Sequence, residues 1–199
     1  MTAVLEPATA PLDLVLLPTG APVPHEPTPR SFVVEILRPS SWWELRDVRL
    51  RALRESPHAF VVEERAEAGH REVYWRERLG SAVWVAVRDG REIVAIACSV
   101  AAPEGRKVRY IESVWVHPLL RGRGILTSML DKLEDDAWDQ GADELRLWVL
   151  DTNPSAWKAY KKTNFQRDEE QEPLETSKWF AGEPVLERRM CRKISSHRR

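Results

Sequence analysis

Cysteine is nearly absent from the 199-residue chain: Cys98 and Cys191 form no C-x-x-C pair, and each sits in an apolar, strand-like stretch. A disulfide framework is therefore not expected, and a reducing cytoplasm is the expected home. Long apolar runs are missing too. Leu12 to Leu17 is interrupted by Asp13 and has no basic residue before it, so neither a secretion signal nor a membrane span is expected. No sign of charge dominates: 30 Lys plus Arg face 31 Asp plus Glu, a formal net charge of -1. That balance leaves no overall basic field for nucleic acid or an anionic membrane. His25, His58, His70, His117 and His197 show no metal-ligand spacing, so no metal is expected.

What the chain does have is a globular balance, 43% hydrophobic and 31% charged, enough for one sizeable core. Half of its 14 prolines fall before position 30, so residues 1–30 read as a proline-rich flexible tail. Structure begins at Ser31. Phe32–Leu37 reads as a strand, and Ser40 and Ser41 are placed to cap a helix reaching Ser56, with Trp42, Leu45, Val48 and Ala52 at helical spacing. A second helical stretch, Glu63–Leu79, weakens at Gly69 and meets Gly80 as its stop. Ala82–Val87 and Glu92–Ala101 flank Asp89-Gly90, a strong hairpin signal, and Val108–His117 follows as a third strand. Ile125, Met129, Leu130, Leu133 and Ala137 mark one face of a helix ending near Gly141. Leu145–Leu150 reads as a buried strand. Asn153 and Pro154 open a helix that Asn164 closes, and Thr176–Phe180 and Val185–Lys193 read as two last strands. The expectation is a single α/β domain over residues 31–193, with a short basic tail at 194–199.

The chemically informative stretch is Val114 to Leu130, V-W-V-H-P-L-L-R-G-R-G-I-L-T-S-M-L, where a strand turns through a basic, glycine-containing loop into a helix. A Walker loop would need lysine followed by Ser or Thr after its last glycine, and a dinucleotide fingerprint would need glycine at Thr127; both fail. What remains is a loop whose amides at Gly122, Arg123, Gly124 and Ile125 can point at an anion beside the positive end of a helix. Such a loop suits a pyrophosphate.

Here the sequence resembles the GNAT superfamily of N-acetyltransferases, whose signature is Gln or Arg, two residues, Gly, one residue, then Gly or Ala after a strand. Arg121 to Ile125 match, whereas Leu126 stands where the family normally has a small residue. A second motif, N-P-S-A-W-K-A-Y-K-K-T-N-F from Asn153 to Phe165, resembles the family's N-x-x-A-x-x-x-Y-x-x-x-G-F helix and turn. Asn153, Ala156, Tyr160 and Phe165 match, and Asn164 replaces the glycine, a mild change because Asn tolerates the left-handed region. Arg46 to Phe60 is similar to the first helix and following turn of many bacterial members.

The resemblance implies a GNAT-like acyl-CoA acyltransferase domain with a mixed, mostly antiparallel sheet flanked by helices. It implies transfer of an acetyl group from acetyl-CoA to a primary amine within one ternary complex, with no metal. Tyr160 occupies the family's general-acid position, and Glu112, on the third central strand, is the candidate base. Backbone amides at Val114, Trp115 and Val116 are expected to face the thioester, and the coenzyme is expected against Arg121, Gly122, Arg123, Gly124, Ile125, Leu126, Thr127, Asn153, Ala156 and Tyr160. Trp115, Trp148 and Trp157 are candidates for an apolar acceptor wall, and Asp168, Glu169, Glu170 and Glu172 for attracting a cationic amine or for a solvated loop. The acceptor stays open between a small molecule, such as an amine antibiotic or polyamine, and a protein N-terminus or lysine. A CoA-binding module with little activity, motivated by Leu126, stays open too. A homodimer through the final strand is compatible with the sequence. RNA recognition by Arg46, Arg49, Arg51 and Arg54 rests on a basic helix alone.

Overall fold

The computed structural model describes residues 31–60, 62–103, 105–173 and 186–194, with the side chains of 171–173 excepted. The expected tail 1–30, residues 195–199 of the expected tail 194–199 and the expected strand Thr176–Phe180 lie outside the described residues, whereas Ile194 is described and buried.

Strand β1 (Phe32–Ile36) leads through a 3-10 turn at Pro39–Ser41 into α1 (Trp42–Glu55). Proline starts that turn, and Ser41 makes no side-chain cap, contrary to expectation. The stretch expected as one weakened helix is two, α2 (Glu64–Ala68) and α3 (Glu72–Ser81), and Gly80 lies inside α3 rather than ending it. Then come β2 (Val83–Asp89), a turn with Gly90 at φ 62°, β3 (Glu92–Ala102) and β4 (Gly105–Val116). After α4 (Ile125–Asp139), β5 (Glu144–Leu150) and α5 (Pro154–Lys162), β6 (Gln166–Pro173) and β7 (Leu186–Lys193) complete a seven-stranded sheet ordered β1-β2-β3-β4-β5-β7-β6.

Apolar alternation puts a core on each face of this sheet. On one, the stripe Met129, Leu130, Leu133 and Ala137 of α4 is fully buried against Val85, Val87, Leu145 and Leu147. On the other, Leu45, Val48 and Ala52 of α1 and Trp75 of α3 cover Trp84, Ala86, Ile96 and Cys98. No helix of the described residues is long and apolar enough to cross a membrane.

Two expectations change at the C-terminal end. The acidic run at 168–172 is the edge strand β6, where Asp168 and Glu170 bind Arg189 of β7 at 2.6 and 2.9 Å. Strand β7 has β5 on one side and β6 on the other, so it has no free edge for side-by-side pairing with a second subunit, which leaves exchange of the strand between subunits as the route to a dimer through it.

Candidate active site

Among the described strands β4 and β5 form the one parallel pair, and only Val108, Arg109 and Tyr110 are in register with Glu144, Leu145 and Arg146. Past Tyr110 the strands part. A bulge helps to open them: β4 carries one extra residue between Glu112 and Trp115, opposite Cys98 and Ile96 of β3, and Ser113 adopts φ 57° there. His117 donates its amide to Val94 O of β3 at 2.9 Å, so strand alternation turns the Val114 and Val116 amides towards the gap.

At one end of the gap the chain crosses a 3-10 turn, Pro118–Leu120, and the loop 121–124 into α4. Gly122 and Gly124 have φ 79° and 81°, a region side chains avoid, and a Cβ on either would meet nothing within 4 Å. The space over the loop is open. Gly124 is the N-cap of α4 and no side chain caps it, so the first-turn amides stay available to an anion at the positive end of the dipole.

The other wall is α5. Asn153 Oδ1 accepts the Ala156 amide at 3.1 Å, Pro154 occupies the first turn, and Asn164 ends the helix at φ 64°. This start sets the helix phase that points Ala156, Ala159 and Tyr160 inward, and the Tyr160 ring meets the edge of Phe165 at 5.8 Å. The result is a cleft of about 700 Å³. Its β4 wall is Val114, Trp115 and Val116, its loop end is Arg121 and Leu126, and its α5 wall includes Asn153, Ala156 and Tyr160.

Residues 42–165 match the family model described as the acetyltransferase (GNAT) family. The chain belongs to the GNAT acetyltransferase family. It is 40% identical to a thialysine N-epsilon-acetyltransferase of Bos taurus over 63 residues, 32% of this chain and 36% of that protein. An uncharacterized N-acetyltransferase of Methanocaldococcus jannaschii is 32% identical over 84 residues, 41% of this chain and 37% of that one. The chain thus spans about a third of the length of the curated relatives it matches. Its fold is that of a GNAT acetyltransferase from Streptococcus pneumoniae, with TM-score 0.69 and 13% identity over 83% of this chain and 100% of that one. A putative acetyltransferase from Salmonella typhimurium, solved with its cofactor acetyl-CoA, superposes with TM-score 0.62 and 15% identity over 84% and 96% of the two chains.

Within this GNAT domain the expected site residues divide into three groups. Eight line the cleft as described; Gly122, Arg123, Gly124, Ile125 and Thr127 form the loop and first turn beside it, with the Ile125 side chain buried in the core. Glu112 is not part of the cleft lining: it sits just before the bulge, on the face towards α1 and α3. Its side chain is exposed overall, yet desolvation by the neighbouring helices raises its carboxyl above the usual range, although the Arg78 and Arg49 charges pull the other way. Burial alone pushes the Tyr160 phenol up, so it stays protonated through neutral pH. Leu126 is half-buried, packed on the α4 core while also lining the cleft.

Arg121, expected near phosphates, instead folds back: its Nε donates to Val116 O at 3.0 Å and its Nη2 to Glu55 Oε2 at 3.0 Å. Arg123 is exposed and makes no hydrogen bond or ion pair among the described residues. Glu55 and the turn Ser56–Ala59 line the cleft without any motif pointing to them. The signal available was the likeness of Arg46–Phe60 to the family's first helix and turn, which reads as packing until that turn is seen closing the wall.

Of the described tryptophans, only Trp115 lines the cleft; Trp148 lies under Arg189 and Trp157 under Arg167, each at 6.0 Å. Burial pushes the Cys98 thiol up to about 12, so it is no nucleophile. The basic helix has internal partners: Arg46 donates to Ala68 O, Arg49 to Glu67, Arg51 to Glu92 and Ile93 O, and Arg54 to Leu50 O. Among the described residues no group of three or more His, Cys, Asp or Glu is arranged to hold a metal.

Proposed function

We propose that this protein is an acetyl-CoA-dependent N-acetyltransferase of the cytoplasm, acting through a domain at residues 31–193 on a primary amine of a small molecule by direct attack. The observation that carries the reading is the parted β4–β5 pair, with an uncapped helix N-terminus at one end and Tyr160 on the facing wall of the same cleft. The open space over Gly122 and Gly124 fits a pyrophosphate, and the inward amides of Val114 and Val116 fit an amide-bearing arm laid along β4. Acetyl-CoA supplies the acyl group activated as a thioester.

The chain's residues then divide the work. The amides of Gly122 to Ile125 hold the diphosphate, and a gap-facing amide of β4 takes the negative charge that develops on the carbonyl oxygen. An alkylammonium has a pKa of ~10.4, so the attacking amine must lose a proton, and Glu112 receives it directly or through water. As the C–N bond forms and the C–S bond breaks, Tyr160 gives its proton to the departing sulfur and is reprotonated from solvent. The desolvation that keeps the phenol neutral also raises the basicity of a thiolate expelled beside it.

The name of the bovine relative supports small amines as the first acceptors to test, ahead of peptide N-termini and lysines. The Leu126 side chain in the cleft favours one rival, a coenzyme-binding module with little turnover. The deciding experiment is acetyl-CoA consumption over a panel of polyamines, amine antibiotics, small diamino acids and peptides, for wild type and Tyr160→Phe. The expected outcome is turnover on a small amine that falls ~100-fold or more in Tyr160→Phe. Turnover on peptides alone, or coenzyme binding with no turnover, contradicts the proposal.

A further inference from the structure

The C-terminal residue of α1 is the negative end of a helix dipole, where a cation is favoured, yet Glu55 stands there. Helix stability does not account for it; its contacts do. One oxygen, Oε2, accepts three donors from three parts of the chain: Trp115 Nε1 of β4 at 2.9 Å, Arg121 Nη2 of the loop at 3.0 Å, and the hydroxyl of Ser56. Burial works against the carboxylate, but these hydrogen bonds and the Arg121 and His117 charges outweigh it and hold the group below its ordinary range. The Trp115 ring is 3% exposed, so its indole N–H is a fixed anchor that needs an acceptor. Arg121 completes the link: Nη2 also donates to Ser56 Oγ at 3.1 Å, and Nε to Val116 O at 3.0 Å on the open edge of β4.

We infer that Glu55 is a positioning residue for coenzyme binding: fixed by Trp115, it pins Arg121, and through Arg121 it sets both the start of the anion-binding loop and the open edge of β4. Arg121 therefore acts as a strut under the coenzyme rather than as a phosphate ligand. The loop runs from Arg121 at ψ 149° straight into Gly122 at φ 79°, so a shift of the arginine is passed directly to the amides that follow. Tyr160 and α5 are not part of this chain of contacts. Loss of Glu55 should then raise KM for acetyl-CoA by more than it lowers kcat, with the melting curve little changed, whereas a general loss of structure would lower kcat and the melting temperature together.

This inference rests on the proposed coenzyme reading, and the test separates the two. Calorimetric titration with acetyl-CoA is made on the full chain as wild type, Glu55→Ala, Glu55→Gln, Arg121→Ala and the double Glu55→Ala/Arg121→Ala, with a melting curve for each and steady-state kinetics on whichever amine turns over. The expected result is a loss of about tenfold in Glu55→Ala, partial recovery in Glu55→Gln, which keeps an acceptor for Trp115, and a double variant no weaker than Arg121→Ala alone. Wild-type binding with an unchanged affinity in Glu55→Ala, or losses that simply add in the double variant, overturns the inference and leaves the coenzyme reading standing. No binding by wild type overturns both.

Discussion

Desolvation raises the pKa of both Tyr160 and Glu112, and the two shifts suit the opposite tasks proposed for them. A phenol that resists ionisation remains an acid through the working range. A carboxyl that resists ionisation becomes a base closer in strength to the proton it must take, at the cost of being partly protonated in mild acid. The consequence for stability has a definite sign. The folded Glu112 carboxyl holds its proton to higher pH than its ordinary value of 4.5, so the stability linked to it is complete below that value and is lost as pH rises through the raised one. Glu112→Gln should therefore melt higher than wild type at pH 7, with the gain vanishing near pH ~4, and should lose the rising acid limb of kcat/KM. A variant that keeps that limb shows that Glu112 is not the base. Much of this scale is legible in sequence because Tyr160 sits in an intact motif. Glu55 is not legible, since its role depends on a tryptophan 60 residues away that only folding brings to 2.9 Å.

Elements with one clean pattern match their expectation closely: α4, β5 and α5 differ from the sequence reading by a residue or two. Those set by tertiary partners do not. The charged strand β6 reads as a loop because strand alternation is hidden where Asp168 and Glu170 both answer to Arg189 on β7. The break between α2 and α3 is visible only as Gly69, whereas the structure adds the buried Glu67, tied to Arg49 and Arg78 at 2.9 and 3.2 Å. The first turn of α4 carries a prediction of its own. Leu126 narrows the cleft while packing on the core, so Leu126→Ala should tighten acetyl-CoA binding and lower stability by about 1 kcal/mol, a cost smaller than for a fully buried leucine. Parallel titration and melting check both directions; equal or weaker binding shows that the leucine does not obstruct the site.

For the whole molecule, a sheet that parts in the middle needs ties between its halves. One of them is buried: Arg192 of β7 donates to Glu134 Oε2 of α4 at 2.5 Å and to Thr163 O after α5 at 3.0 Å, joining three elements around the cleft. Removing Arg192 takes away the buried ion pair and the bond to Thr163 together, so Arg192→Ala should cost about 2 kcal/mol or more in denaturant unfolding. A loss under 1 kcal/mol, the usual worth of an exposed pair, would contradict that role. Family membership and architecture are legible from two motifs and the element order, because both encode local backbone geometry. The acceptor is not, because it is set by side chains that separate loops bring together.

The central claim is that the gap between β4 and β5 holds acetyl-CoA with its diphosphate on the start of α4. Its most direct test is calorimetric titration of the full chain with acetyl-CoA and CoA beside Gly124→Glu. That substitution places a side chain at φ 81°, and a negative charge, where the diphosphate amides begin. Wild type should bind both ligands saturably and the variant neither, with both proteins melting cooperatively. Binding that survives in Gly124→Glu, or no binding by wild type, would contradict it.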